Sequence, residues 1–144
     1  MKNLRLLLST SCLALLSGCA HIEPDVTLYQ RLGGEPGIER IVSDFVDRFT
    51  TDPRTRDALD GIRVTHLKQS ITQFICLVAD GPNGYEGLDM KKTHEDAPVT
   101  EVQFDSVVEM MRDALDKHVS TAEKNELLRR LAPMKRDIVA HYRD

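Results

Sequence analysis

From Ile38 onward, apolar residues recur at intervals of three and four, and no stretch shows the strict alternation that a half-buried strand needs. Ile38, Ile41, Val42, Phe45, Val46 and Phe49 share one helix face, with Pro36 in the first turn, where its missing N–H costs nothing. Leu67, Ile71, Phe74, Ile75 and Val78 repeat the pattern, which stops before the breaker cluster Gly81-Pro82-Asn83-Gly84. Thr100 with Gln103, and Ser120 with Glu123, have capping-box spacing ahead of two further helices. The apolar faces of these two run through Phe104, Val108, Met111 and Leu115, then through Leu127, Leu131 and Ile138, and Pro133 should kink the last. Such stripes can be buried only by packing helix on helix. The expected class is therefore all-α, with about four long helices and several short ones.

A length of 144 residues with 41% apolar and 5% aromatic content allows one ordinary globular domain. The first eighteen residues lie apart from it. MKNLRLLLSTSCLALLSG carries Lys2 and Arg5, then an apolar run from Leu6 to Leu16, then small residues, and reads as an export signal too short for a permanent membrane span. Its end, Leu16-Ser17-Gly18-Cys19, resembles the lipobox of bacterial lipoproteins, which would make Cys19 a lipidated N-terminus. Residues 1–18 are then signal, 19–26 a lipidated tether and 27–144 the folded domain. Ala20, rather than aspartate, follows the cysteine. By the same resemblance the protein is expected at the outer membrane of the cell envelope, facing the periplasm.

Loss of Lys2 and Arg5 takes the formal net charge from −4 to −6. A mildly acidic body without a basic stripe excludes non-specific nucleic-acid binding, which draws on Lys and Arg for its phosphate contacts. Of three cysteines, Cys12 leaves with the signal and Cys19 carries lipid. Cys76 remains alone in an apolar helical run, so an intramolecular disulfide and a cysteine metal cage are both excluded. It is expected to be a buried, inert thiol.

In GLDMKKTHEDAPVT, Gly87 to Thr100, a single histidine, His94, stands where a helical pattern breaks off. By itself this is a position where an imidazole sits well against the helix dipole. Its neighbours change that reading. LYQRLGG at Leu28–Gly34, SDFVDRF, DPR at Asp52–Arg54, GP and YEG before MKKTH, VQFDSVV and LAPMKRDIV follow one another in an order that resembles the group I truncated haemoglobins, from Leu28 to about Val139. The resemblance implies a shortened globin fold, two helices over two. It also implies a haem whose iron is ligated on the proximal side by His94, and a function in reversible binding of a diatomic gas.

The same resemblance sets Met90, Val99 and Phe104 against the porphyrin, with Val108 and Met111 further along the last stripe. The chemistry agrees, since a five-coordinate haem needs one neutral imidazole presented against an apolar wall. No Cys-x-x-Cys-His is present, so the haem is expected to be haem b, held non-covalently. Lys91 and Lys92 stand where they could meet a propionate or simply face solvent. His21 falls in the tether, and His118 and His141 near helix ends, where surface roles are expected.

The distal side departs from the family. Where helix B usually offers a tyrosine after phenylalanine, Asp44-Phe45-Val46 has valine. The positions that usually supply a glutamine carry Leu67 and Ile71, with Ile75 one turn on, and the phenylalanine that wedges the haem aligns with Leu59; Phe74 is counted among the cofactor-binding residues as well. His66, Ser70 and Gln73 flank this face, and a one-residue slip in register would swing His66 toward the iron. Two readings stay open: a membrane-tethered haem protein binding oxygen, nitric oxide or carbon monoxide, with an unidentified reductase, or a haem-free globin scaffold acting as an interaction or sensory module. Nitric oxide dioxygenation and electron transfer are secondary activities under the first.

Overall fold

Thr27 provides the first cap of the fold. Its side chain accepts from the Gln30 N–H while the Gln30 side chain accepts from the Thr27 N–H, closing α1 (Leu28–Arg31) into a single turn. Gly33 and Gly34 then adopt left-handed φ values of 87° and 66°, which turn the chain directly into α2 (Gly34–Phe49). On the first turn of α2, Gly37 lies so close to the Leu32 carbonyl that a Cβ there would overlap it. This computed structural model describes residues 26–97 and 99–139. The signal, Cys19, His21 and His141 lie outside the described residues.

The amphipathic stripe on α2 becomes the centre of the core. Ile38, Val42 and Val46 have no exposed surface, and Ile41 and Phe45 almost none. Each such side chain contributes about 1.5–3 kcal/mol by leaving water. Two long helices pack along α2: α3 (Val64–Val78) through Thr72, Ile75 and Cys76, and α5 (Glu101–His118) through Ser106, Met110 and Ala114. These two barely touch each other. A further helix, α6 (Thr121–Leu131), closes on α5 and on α1, burying Leu127 completely. Arg130 ties it to the end of α3, donating to the Val78 carbonyl at 2.8 Å and to Asp80 at 2.6 Å.

The short elements complete the molecule. A 3-10 turn spans Arg56–Leu59, α4 is the single turn Met90–Thr93, and α7 is the turn Lys135–Ile138, which packs on α4. Val99 and Val139 form an isolated parallel bridge beside them. Pro133 does more than kink the last helix: α6 ends at Leu131, a 3-10 turn carries Ala132–Met134, and α7 starts afresh. The Thr100–Gln103 capping box forms as its spacing implies. At α6, Ser120 instead caps the Ala122 N–H at 3.2 Å, and its hydroxyl donates to the Glu123 carboxylate. The described residues hold four long helices and no strand, as the periodicity implies.

Candidate functional site

A four-residue helix such as α4 cannot hold itself in water, because its nucleation cost is spread over too few bonds. Side chains fix it. Asp89 accepts from the Lys92 N–H at 2.8 Å at one end, and the Thr93 hydroxyl donates to the Asp89 carbonyl at 2.8 Å. His94 follows as the C-terminal cap, half-buried, with Nδ1 2.8 Å from the Met90 carbonyl oxygen. A carbonyl only accepts, so in the neutral imidazole this contact puts the proton on Nδ1 and leaves the lone pair on Nε2. Among the described residues Nε2 meets no protein partner.

The faces of α3 separate cleanly at 100° per residue. Lys68, Thr72, Ile75 and Ala79 face α2; Lys68 reaches Ser43 at 2.8 Å and Asp47 at 2.7 Å. Leu67, Ile71, Phe74 and Val78 form a second stripe beside the first and stay only half-buried. On α5 the same division appears: Ser106, Met110 and Ala114 are buried, while Phe104 and Val108 are half-buried and Met111 is 7% exposed. α3 and α5 both pack on α2 and barely touch each other, and each keeps a half-buried apolar stripe beside the one that covers α2. Met90, His94 and Val99, in and just after α4, are also half-buried. Val46 lies fully buried in α2, and Leu59 is half-buried in the 3-10 turn.

The polar flank of α3 points away. His66 and Gln73 are exposed and Ser70 is half-buried, so in this register His66 faces solvent. Lys91 and Lys92 are also exposed, and Lys92 pairs with Glu95. A polar groove of about 450 Å³ between α2 and α3, lined by Glu35, Glu39, Lys68 and Thr72 among others, lies on the α2 side of α3, clear of the Leu67–Ile71–Phe74 stripe. Cys76 is buried, and desolvation raises its thiol pKa to about 11.

Two contacts escaped sequence reasoning. His118, expected to have only a surface role, places Nε2 2.9 Å from an Asp44 carboxylate oxygen and joins the end of α5 to α2; that contact is the main cause holding the Asp44 carboxyl below its ordinary pKa. Tyr85, in the loop before α4, packs edge-on against Phe74 with ring centroids 5.4 Å apart. Nothing in the spacing of these residues could have announced either pair.

These residues suit a planar apolar cofactor with a metal. One imidazole nitrogen, His94 Nε2, has no hydrogen-bond partner among the described residues, and no three His, Cys, Asp or Glu side chains converge among them. A ring that brings its own donors, such as a porphyrin, needs only that one imidazole.

Comparison with known proteins points the same way. The family model described as bacterial-like globin matches residues 27–140. A group 1 truncated hemoglobin of Nostoc sp. is 28% identical over 110 residues, covering 76% of this chain and 93% of that protein. The crystal structure of the truncated hemoglobin of Tetrahymena pyriformis in its Fe(III) form superposes with a TM-score of 0.75 at 25% identity, covering 79% of this chain and 98% of the other. The 2/2 hemoglobin of Synechococcus, in the cyanomet state and with covalently attached haem, gives 0.74 at 23% identity, over 78% and 98%. The two-over-two helical sandwich is thus the fold this chain adopts.

Proposed function

The chain belongs to the bacterial-like globin family, and from that premise we propose that it holds haem b non-covalently in a cleft between α3 and the α4–α5 segment, ligated by His94, and reversibly binds a diatomic gas there. The observation that carries this reading is the 2.8 Å contact between His94 Nδ1 and the Met90 carbonyl. It selects the neutral tautomer whose Nε2 can donate to iron, and it orients the ring, the same service that carbonyl and carboxylate partners give to metal-bound imidazoles generally. When bound, haem supplies an iron with one position left open to oxygen, nitric oxide or carbon monoxide.

Around that iron the chain supplies walls and little else. Met90, Val99, Phe104, Val108 and Met111 would hold the cofactor on the histidine side, and Leu59, Leu67, Ile71 and Phe74 on the other, with Val46 beneath. These side chains exclude water by their apolar surface. None of the distal group can donate a hydrogen bond. The site would therefore bind gases by access and iron chemistry alone, which disfavours a ligand that gains from a polar neighbour. Oxygen is such a ligand, and carbon monoxide is not.

The remaining elements of the reading rest on the N-terminal sequence. Lipidation at Cys19 would hold the globin close to a membrane, facing the periplasm, with a separate reductase to keep the iron ferrous. A visible spectrum of the full chain with haemin tests the central claim. A Soret band that His94→Ala removes or moves supports it; no band in either protein would favour the haem-free scaffold.

A further inference from the structure

The position of His94 depends on something outside its own four-residue helix. Tyr85 meets three parts of the molecule at once. Its ring packs edge-on to Phe74 of the α3 wall, with centroids 5.4 Å apart and planes at 68°. Its hydroxyl donates to the Leu88 carbonyl at 3.2 Å, and the Thr93 hydroxyl approaches the same oxygen at 3.4 Å. Between them, Gly87 passes so close under the ring that a Cβ would run into its carbons and hydroxyl. The next residue after Leu88 is Asp89, the cap of α4. Resting on the haem reading above, we propose that Tyr85 is the positioning residue of the site: a strut that sets the distance between the distal wall, through Phe74, and the turn that presents His94.

The physical argument is one of rigidity. The loop from Gly81 to Asp89 carries two further glycines and a proline and has no helix of its own, so backbone alone would let α4 wander. A clamped aromatic ring with a hydrogen-bonded hydroxyl removes that freedom at small entropic cost, since it freezes only two side-chain torsions. The coupling also runs inward. Phe74 shares its stripe with Leu67 and Ile71, so a change in what the distal wall contacts would reach His94 through Tyr85. Without such a strut, the contacts of α4 with α7 would position the imidazole alone.

Hydrogen exchange on the full chain, measured with and without added haemin, tests this directly. In Tyr85→Phe the Thr93 and His94 amides should exchange about fivefold faster, the fold-change of one net hydrogen bond. In Tyr85→Ala the effect should be larger, and Gly87→Ala, which displaces the ring, should mimic it. Amides in α2 and α5 should not change. With haemin bound and reduced, the iron–histidine stretching band should shift in Tyr85→Ala and lie nearer the parent in Tyr85→Phe. Unchanged Thr93 and His94 amides would overturn the proposal, as would acceleration spread evenly over α2, α3 and α5. The exchange measured without haemin judges the strut by itself, so the two readings fail separately: a parent that takes up no haemin removes the haem reading while the α4 amides still judge the strut.

Discussion

The Nδ1 of His94 stands 2.8 Å from the carbonyl oxygen of Met90, one turn earlier in the chain. That contact commits the proton of a neutral imidazole to one nitrogen and leaves the other as a donor aimed away from its own backbone. His94→Ala should therefore abolish haem uptake or shift the Soret band sharply, while far-ultraviolet circular dichroism stays near the parent's, because His94 is a half-buried cap rather than a core residue. Identical visible spectra for variant and parent would remove His94 as the ligand.

Val46, at the position where the family resemblance implies a tyrosine, is fully buried. A hydrogen bond to a polarised ligand is worth on the order of 1.5 to 3 kcal/mol, or roughly ten- to a hundredfold in an equilibrium constant. Val46→Tyr should slow oxygen release by about that factor and leave carbon monoxide release nearly unchanged, as followed by stopped-flow mixing. His66 is exposed, so His66→Leu should alter neither rate. A large effect of His66→Leu on oxygen would show that the histidine swings into the cleft.

Gly37 lies in a helix, where alanine is ordinarily the more stable residue. Here the Leu32 carbonyl occupies the space that a methyl group would need, and backbone cannot yield as a side-chain tip can. Gly37→Ala should lower stability by about 1–3 kcal/mol, the usual cost of overpacking. Chemical denaturation of the two proteins measures it, and an equal or higher midpoint for the variant would contradict the close approach.

Burial raises the Cys76 thiol from 9.0 to about 11. At pH 8 that leaves roughly a hundredfold less thiolate than an ordinary cysteine would offer, and the thiolate is the nucleophile. Iodoacetamide should consequently label Cys76 very slowly in the native protein and promptly in denaturant. Equal labelling rates in the two conditions would mean that the thiol is accessible in the fold.

Cys19→Ser should block lipidation, leaving precursor or a product that no longer partitions into detergent with the membrane fraction. Metabolic labelling with a radioactive fatty acid reads the result, and undiminished label on the variant would rule out Cys19 as the attachment point.

The sequence by itself determined what depends on near neighbours. Helical stripes, the Thr100–Gln103 box and the break at Gly81 were legible because hydrogen bonds and face periodicity act over three to five residues. The ordered motifs from Leu28 onward were sufficient for the globin fold, and they marked His94 as the imidazole to watch. Only the tertiary structure decided which of two adjacent stripes on α3 faces α2 and which stays open, since helix spacing marks both as apolar. Only it brought Tyr85 to Phe74, His118 to Asp44 and Leu32 against Gly37, and showed that Pro133 divides a helix where a kink was expected. Those outcomes are set by where distant segments are forced to lie once α2 is covered. Packing of that kind has no period along the chain, and so leaves no pattern in it to read.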